Sequence, residues 1–200
     1  MTFSSSPGEF PSWDDLYAKN SVESMPWYSA NLDPDVYSEL DESDHRGRFL
    51  DIGTGPGTQA IALSKMGFSV TGSDLSENAI KKASLLGGSV RFVVDDILNT
   101  KLEKRSFDYI LDRGCFHVLS PEDRSTYVKN VSLLLDDSGV LFLKVFSDKE
   151  PRQFGPYHFS EIDIHKLFST HFEIKRIKDS IYHGTLPEPP KTLFAVMARG

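Results

Sequence analysis

The chain has 200 residues, of which 39% are apolar and 26% are charged, and its formal net charge is −7 at pH 7. This length can bury the core of one α/β domain, and the acidic balance argues weakly against nucleic acid as a partner, because phosphate binding favours a basic face. A single cysteine excludes disulfides within the chain and indicates a reducing compartment, and no run reaches the roughly 20 apolar residues of a membrane span, so we expect a soluble cytoplasmic protein without a membrane partner.

Residues 1–45 are predicted to form an arm ahead of the core. Residues 1–8 are polar and serine-rich, and they lack the cationic flank and long apolar core of a secretory signal. Both tryptophans of the chain, Trp13 and Trp27, lie in this arm. The arm ends in a charged connector, residues 41–48, which we expect to be exposed to solvent.

The most informative segment follows, over residues 49–57, where a short apolar run ends in an acid and three glycines follow at alternate positions. This pattern predicts a buried strand that turns tightly into a helix over residues 58–66, because glycine has no Cβ and readily reaches positive φ. The first amides of such a helix point into the crevice beside the turn. A nucleotide-like cofactor is the usual occupant.

The spacing of these glycines and one neighbouring acid indicate the charge of the ligand. Dinucleotide folds usually space their glycines as G-x-G-x-x-G, which brings a diphosphate to the helix start, whereas Gly53, Gly55 and Gly57 follow G-x-G-x-G. Asp51 precedes them, where it would repel a diphosphate and attract a sulfonium or ammonium group. The pattern therefore favours a positively charged, phosphate-free cofactor such as S-adenosylmethionine (SAM), although glycine-rich turns also occur for purely steric reasons.

A second acid, Asp74, ends the next predicted strand, which covers residues 68–73. It lies about 20 residues after the glycine loop, where βαβ nucleotide-binding units hold a ribose diol, and a carboxylate can accept hydrogen bonds from both hydroxyls. The alternative is an exposed turn residue or a helix cap. Ser76 is the better cap for the helix predicted over residues 76–86, which leaves Asp74 free for a ligand.

The third predicted strand, residues 89–94, runs into Asp95, Asp96 and Ile97. Together with the loop over residues 50–57, these acids resemble the motifs of the class I SAM-dependent methyltransferases. The resemblance implies that Asp96 binds the adenine amine, that Ile97 packs on the ring, and that Asp95 is a solvated turn acid, although the two acids could exchange roles. The cofactor contacts expected in all are Asp51, Gly53, Thr54, Gly55, Gly57, Asp74, Leu75, Asp95, Asp96, Ile97, Asp112 and Arg113.

The fourth predicted strand, residues 107–111, ends at Asp112 and Arg113. Since ligands bind outside the carboxyl ends of parallel strands, the acids that end the four strands are predicted to share one rim of the sheet. Arg113 could hold an anionic substrate, but an ion pair with Asp112 or Asp51 is the favoured interpretation.

In the family that the chain resembles, the segment after strand four lines the methyl-transfer site. His117 is the candidate general base or substrate contact, since histidine titrates near neutrality, and helix-end packing or a backbone hydrogen bond is an equally weighted alternative. Cys115 would need a partner base to act as a nucleophile, so packing is favoured. The histidines show no metal-ligand spacing, and no metal is predicted.

The remaining pattern predicts a helix, a fifth strand and an antiparallel finish. Ser120 and Asp123 predict a capping box that opens a helix running to Leu135, before a strand over residues 139–145. A second capping box opens a helix over residues 160–169. Residues 172–181 alternate and are predicted to form a strand, and residues 192–198 are predicted to form a second one. Two late strands joined by a loop cannot continue right-handed βαβ winding, so we expect antiparallel pairing there.

The family pattern implies an α/β, Rossmann-like three-layer sandwich, with a seven-stranded, mostly parallel sheet whose last strand is antiparallel. We expect one domain over residues 1–200. It would consist of the arm over residues 1–45, a SAM-binding core over residues 46–148, and a C-terminal helix and strands over residues 149–200.

The arm narrows the resemblance to a subgroup. Its W-x-x-x-Y pattern from Trp13 and its Pro26-Trp27 pair are similar to the thiopurine, thiol and tellurite methyltransferase group. Large aromatic residues ahead of the core would cover the cleft and shape an apolar pocket, although both tryptophans could simply anchor the arm. The expected substrate contacts are Trp13, Trp27, Tyr28, His117 and Tyr157.

The sequence therefore predicts an enzyme that transfers the methyl group of SAM to a small molecule by in-line displacement, with S-adenosylhomocysteine as the product. A sulfur, selenium, tellurium or other soft atom is the predicted acceptor. The alternatives are a protein or RNA methyltransferase, a SAM-binding protein without catalysis, and an NAD-dependent oxidoreductase.

Overall fold

A computed structural model describes residues 10, 12–40, 46–152 and 155–200. The predictions made for residues 1–8 and for residues 41–45 of the connector lie outside the described residues.

One mixed sheet organises the fold, with the strand order β3-β2-β1-β4-β5-β8-β7. Strands β1 to β5 are parallel, and β8 is inserted antiparallel between β5 and β7. A further two-residue strand, β6, pairs with the end of β5, so the sheet has one strand more than predicted. The strands are β1 Arg48–Ile52, β2 Ser69–Asp74, β3 Val90–Val94, β4 Phe107–Asp112, β5 Leu135–Ser147, β6 His158–Phe159, β7 Phe172–Ile181 and β8 Lys191–Arg199.

Helices cover both faces of this sheet, so the predicted three-layer α/β arrangement with an antiparallel last strand is confirmed. One face packs Leu50 and Leu141 against the helices α5 and α6. The opposite face packs Phe49 and Phe142 against α2 and α3. Because both faces are covered, β1 is buried at every position after Arg48. The helices are α1 Trp13–Lys19, α2 Pro34–Leu40, α3 Thr58–Lys65, α4 Glu77–Leu85, α5 Arg124–Leu134 and α6 Glu161–Phe168.

The predicted start of α5 is wrong by three residues, because the N-cap residue is Asp123 and not Ser120. The amide of Asp123 donates to the carbonyl of Ser120 over 3.1 Å, and the hydroxyl of Ser120 binds the Asp123 carboxylate over 2.9 Å. These bonds close a separate turn, so the helix starts at Arg124 without a side-chain cap. Leu135, predicted to be helical, begins β5 instead.

The second predicted capping box is confirmed at the start of α6. The Ser160 hydroxyl accepts from the Asp163 amide over 3.2 Å, and the Asp163 carboxylate accepts from the Ser160 amide over 2.8 Å. The helices α1 and α2 of the arm have no counterpart in the sequence prediction.

Candidate functional site

A cavity of about 660 Å³ opens at the carboxyl ends of the parallel strands. Gly53 after β1, Asp74 at the end of β2, Asp96 after β3 and Arg113 after β4 all line it, as expected for an open α/β sheet. The arm and the loop over residues 182–190 supply the opposite walls. The apolar part of this lining is made of Phe10, Trp13, Trp27, Val118, Leu119, Phe146, Pro156, Tyr182, Leu186, Pro187 and Pro190.

The glycine loop has the predicted conformation. Gly53, Gly55 and Gly57 have φ values of 62°, 52° and 76°, a region that favours glycine. A Cβ on Gly55 would lie 2.4 Å from the hydroxyl oxygen of Tyr17, on helix α1. The arm therefore packs directly on the loop, and the contact leaves no room for a side chain there.

Asp74 joins the glycine loop to β2 and faces the cavity. Its two carboxylate oxygens accept from the amides of Gly55 and Ser76, each over 2.9 Å, and burial raises its pKa. Because a carboxylate has about four acceptor positions, Asp74 keeps capacity for a ligand. Ser76 caps α4 by accepting from the amide of Ala79, as predicted.

Asp95 and Asp96 both line the cavity, and both also shape the turn after β3. Asp96 accepts from the Leu98 amide over 2.9 Å and caps the 3-10 turn Ile97–Asn99. Asp95 accepts from the Thr100 hydroxyl over 2.7 Å. Ile97 and Leu75 complete this side of the wall.

Five of the expected cofactor contacts do not line the cavity, namely Asp51, Thr54, Gly55, Gly57 and Asp112. Asp51 is 2% exposed and accepts from the Thr54 hydroxyl over 2.6 Å; burial raises its pKa to about 7. Neither residue lines the cavity. Asp112 is fully buried and accepts from the amides of Gly114, Cys115 and Phe116 over 2.8–2.9 Å and from the Tyr127 hydroxyl over 2.5 Å. The Asp112 carboxylate stabilises the loop after β4 and, contrary to the prediction, Asp112 does not line the cavity.

Arg113 forms an ion pair, but with a partner that the sequence did not indicate. Its Nε lies 2.9 Å from Asp33 at the start of α2, and not beside Asp51 or Asp112. The same guanidinium donates to the carbonyls of Trp27 and His183 and stacks 4.2 Å above the ring of Tyr182. Arg113 therefore binds the arm and the C-terminal loop together at the cavity wall.

Of the three aromatic residues of the arm that were predicted to contact the substrate, two line the cavity and one does not. Trp13 and Trp27 line the cavity, with ring centroids 5.9 Å apart, and the Trp27 indole N–H donates to the Tyr17 hydroxyl over 3.0 Å. Tyr28 does not line this cavity; it borders a separate depression beside α3. Tyr157 is also absent from the wall, because its ring packs against the guanidinium of Arg124 at 4.6 Å. The predicted substrate contacts at Tyr28 and Tyr157 are therefore not supported.

His117 lines the cavity from the 3-10 turn Phe116–Val118. Its Nδ1 accepts from the backbone amide of Phe146 over 3.3 Å, and its ring packs against the rings of Phe146 and Tyr182. Burial lowers the pKa of His117 to about 3. These contacts match the alternative of a backbone hydrogen bond and oppose the role of a general base.

Two titratable side chains near His117 are also held in their neutral forms. Burial raises the pKa of the Cys115 thiol, in agreement with packing and not with a thiolate nucleophile. Burial also raises the pKa of Tyr182 to about 12, and its hydroxyl donates to the Arg113 carbonyl over 2.5 Å. Tyr17, Asp33, Phe146 and Tyr182 were missed because only tertiary packing brings them to the site.

Within the described ranges, no group of three His, Cys, Asp or Glu side chains is arranged to hold a metal ion. None of the described helices is long and apolar enough to cross a membrane.

Comparison with known sequences identifies the domain. A family model described as a methyltransferase domain matches residues 49–139. An uncharacterised methyltransferase of Schizosaccharomyces pombe is 34% identical over 103 residues, which cover 50% of this chain and 71% of the relative. Human EEF1A lysine methyltransferase 2 is 34% identical over 106 residues, covering 47% of this chain and 45% of the relative. Thiocyanate methyltransferase 1 of Brassica oleracea is 30% identical over 128 residues, covering 60% and 56%.

Solved structures share the fold. A protein from work on the conversion of a disulfide bond into a thioacetal group during echinomycin biosynthesis has a TM-score of 0.80 and 22% identity, covering 94% of this chain and 91% of its own. The 1,6-didemethyltoxoflavin-N1-methyltransferase of Burkholderia thailandensis, solved with 1,6-didemethyltoxoflavin and S-adenosylhomocysteine, has a TM-score of 0.66 and 22% identity, covering 92% and 81%.

Proposed function

We propose that this chain, which belongs to the class I SAM-dependent methyltransferases, transfers the methyl group of SAM to a small molecule with a soft nucleophilic atom. The observation that supports the proposal most strongly is that one cavity has a polar end and an aromatic end. Acids and the glycine loop form one end, whereas aromatic and proline side chains from the arm and the C-terminal loop form the other. A volume of about 660 Å³ lies within the range of about 300–1,000 Å³ that is typical of small-ligand sites.

SAM is the cofactor, and the polar end of the cavity offers groups to hold it. We propose that Asp74 accepts from the ribose hydroxyls and that Asp96 accepts from the adenine amine, with Ile97 beneath the ring. Gly53 and Gly55 would then face the methionine part of SAM. In support, all of these except Gly55 line the same cavity, and Gly55 is bonded to Asp74. The buried Asp51, below them, contributes negative charge toward the sulfonium when it is ionised.

The aromatic end is the proposed site of the acceptor. Trp27, Phe146 and Tyr182 narrow it, and Arg113 fastens the arm above it. The similarity to thiocyanate methyltransferase supports a soft acceptor atom. The similarity to a lysine methyltransferase supports the alternative of a protein substrate. A pocket lined by aromatic and proline side chains suits a small molecule better than the surface of a folded protein. We propose the cytoplasm as the place of action, since the single cysteine fits a reducing compartment.

The chemistry is an in-line displacement at the methyl carbon. A lone pair of the acceptor forms the new bond to carbon, and the carbon–sulfur bond breaks with its electron pair going to sulfur. The positive charge of the sulfonium disappears, and S-adenosylhomocysteine leaves. The protein supplies alignment and the exclusion of water, which together can lower the barrier by several kcal/mol.

A transfer assay with SAM carrying a radiolabelled methyl group tests the proposal. The panel contains thiols, thiocyanate, halides, chalcogen oxyanions, phenols, amines, total protein and total RNA. We expect label in a sulfur, selenium or tellurium compound; label confined to protein or RNA would overturn the small-molecule assignment. Calorimetry with SAM, S-adenosylhomocysteine and NAD is the companion measurement. Binding of NAD would contradict the cofactor arrangement, and binding of SAM without any transfer would favour a non-catalytic role.

A further inference from the structure

We propose that His117 donates a hydrogen bond from Nε2 to the methyl acceptor and takes no proton from it. This inference rests on the proposed function, because it concerns the acceptor end of the same cavity. It identifies a positioning residue and limits the class of acceptors.

The backbone fixes the tautomer of His117. The amide of Phe146 can only donate, so the Nδ1 atom that it approaches to 3.3 Å must carry a lone pair. The single proton of the neutral ring therefore lies on Nε2. A proton on Nδ1 would point at the amide hydrogen of Phe146 and repel it. The imidazolium cation formed in this way would also be buried between two aromatic rings.

The charges around His117 also oppose its protonation. Arg113 from the loop after β4 and His158 from β6 both lower its pKa, in addition to burial. Tyr182, which packs on the ring, is neutral. Within the described part of the chain, no carboxylate is hydrogen-bonded to this imidazole, so nothing there would stabilise an imidazolium.

The Nε2 atom of His117 is the ring nitrogen left to meet a ligand, since Nδ1 already accepts from the Phe146 amide. A Cβ on Gly114 would lie 3.1 Å from it, so glycine at this position keeps the approach to Nε2 clear. Nε2 forms no hydrogen bond within the described residues, and His117 lines the cavity. A molecule at the aromatic end would meet an N–H donor at this point.

The neutral side chains around His117 limit which acceptors can react. The Cys115 thiol and the Tyr182 hydroxyl are held neutral by raised pKa values, so neither offers a ready proton acceptor beside His117. The reacting atom must therefore bring its own lone pair at neutral pH, as a thiolate of low pKa, a soft anion, a neutral sulfur or an aromatic nitrogen does. Alcohols, ordinary phenols and lysine ammonium groups would first have to lose a proton, and none of His117, Cys115 and Tyr182 would assist that loss.

Two measurements test the inference, and the first does not depend on turnover. Nitrogen-15 NMR of histidine-labelled protein, assigned with His117→Gln, reports the tautomer directly. We expect His117 to stay neutral with its proton on Nε2 from pH 5.5 to 8. Titration within that range, or a proton on Nδ1, would overturn the proposal whatever the enzyme methylates.

The second measurement uses thiophenol as the probe in the complex with S-adenosylhomocysteine. His117→Leu removes the donor, and loss of one hydrogen bond should weaken thiophenol binding roughly 10-fold. His117→Gln keeps an N–H donor but cannot act as a base, so its affinity should stay within about 3-fold of wild type. His158→Gln is the matched control and should match wild type.

The pH dependence of methyl transfer separates a donor from a base. With thiophenols of graded pKa, the rate should follow the ionisation of each thiophenol in wild type and in His117→Gln alike. Equal thiophenol affinity in wild type and His117→Leu would overturn the donor role. A His117→Gln variant that binds thiophenol normally but loses turnover and the acid limb of its profile would show that His117 is a base.

Discussion

Lys144, in the middle of β5, holds both carboxylate oxygens of Asp33 at 2.6 and 2.7 Å, and both side chains are 1% exposed. Asp33 also receives Arg113 from the cavity wall. One carboxylate at the start of α2 therefore joins the arm to the centre of the sheet and to the loop that follows β4. This buried ion-pair node, made of Asp33, Lys144 and Arg113, fixes the aromatic arm beside the cavity.

Removal of this carboxylate should destabilise the whole protein. Asp33→Ala leaves Arg113 without its carboxylate partner and leaves Lys144 with Asp35 alone, and breaking a buried ion pair typically costs about 3–5 kcal/mol. Urea unfolding measures the loss, and fluorescence is a suitable signal because both tryptophans lie on the arm. Asp15→Ala, which removes an exposed pair with Lys19, is the control and should change stability by less than about 1 kcal/mol. Similar costs for the two variants would show that the node is not stabilising.

Asp51 should make the free protein less stable as pH rises. Its folded pKa is about 7 against an ordinary value of 3.8. The folded state therefore binds more protons between these values, and the contribution of Asp51 is complete below pH 3.8 and lost as pH rises through about 7. Across that window the free energy of unfolding of Asp51→Asn should rise relative to that of wild type, by about 2–4 kcal/mol in total. Above the window the difference between the two proteins should stay constant.

Unfolding of wild type and Asp51→Asn at several pH values measures this difference. Asp137→Asn, which alters an exposed carboxylate, should run parallel to wild type. A constant gap between Asp51→Asn and wild type from pH 4 to 8 would mean that Asp51 is ionised throughout. SAM affinity is a second measurement, because a sulfonium should favour the ionised carboxylate of Asp51. In wild type, the affinity for SAM relative to that for S-adenosylhomocysteine should therefore rise with pH. In Asp51→Asn this ratio should not change with pH.

The fold was largely predictable because its signals are local. The glycine loop, the capping serines at Ser76 and Ser160, and the strand patterns of the last two strands each act within a few residues, and the structure reproduces these elements. The start of α5 was mistaken because a Ser-Pro turn and a helix cap share the same residue types. Sequence pattern alone does not decide between them.

The site was predictable in position but not in the direction of its side chains. Asp51, Asp74 and Asp112 all lie at strand ends, yet only Asp74 faces the cavity. Asp112 instead satisfies three amides of its own loop. The pairing of Asp33 with Arg113 spans 80 residues, and the tautomer of His117 depends on one backbone amide of β5. Contacts of this kind arise only from tertiary packing.

The ribose assignment predicts a selective loss of cofactor affinity. Asp74→Asn removes one carboxylate acceptor and should weaken SAM and S-adenosylhomocysteine alike by about 1–3 kcal/mol, since ribose hydroxyls would lose a charged partner. Calorimetry measures both constants. Asp95→Asn, in the neighbouring turn, is the control and should cost less. Unchanged affinity in Asp74→Asn would remove this residue from the cofactor site.

The contact between Gly55 and Tyr17 should link the arm to cofactor binding. In Gly55→Ala the new Cβ would lie 2.4 Å from the Tyr17 hydroxyl oxygen, so the arm must move, and SAM affinity should fall at least roughly 10-fold, the equivalent of about 1.4 kcal/mol. Gly87→Ala is the matched control, because Gly87 also has positive φ but a Cβ there would meet none of the described residues within 4 Å. It should lose about 1 kcal/mol of stability and keep its affinity.

A double variant shows whether the steric contact is the cause. Tyr17→Phe removes the hydroxyl oxygen, so Gly55→Ala combined with Tyr17→Phe should bind SAM more tightly than Gly55→Ala alone. If the added Tyr17→Phe change brings no recovery, backbone strain at φ 52° and not the arm explains the loss.

Cys115 provides a label for the cofactor end of the cavity, because it is the only cysteine in the chain. A Cβ on Gly53 would lie 3.0 Å from the Cβ of Cys115, so a ligand on the glycine loop should cover the thiol. Burial raises the pKa of this thiol, and fewer thiolates mean slower alkylation. Iodoacetamide at pH 7.5 should therefore react more slowly with the folded protein than with the protein in urea, and saturating S-adenosylhomocysteine should slow it further. If the folded protein is alkylated faster than the unfolded chain, Cys115 is a thiolate of low pKa. If S-adenosylhomocysteine does not change the alkylation rate, the cofactor binds away from the glycine loop.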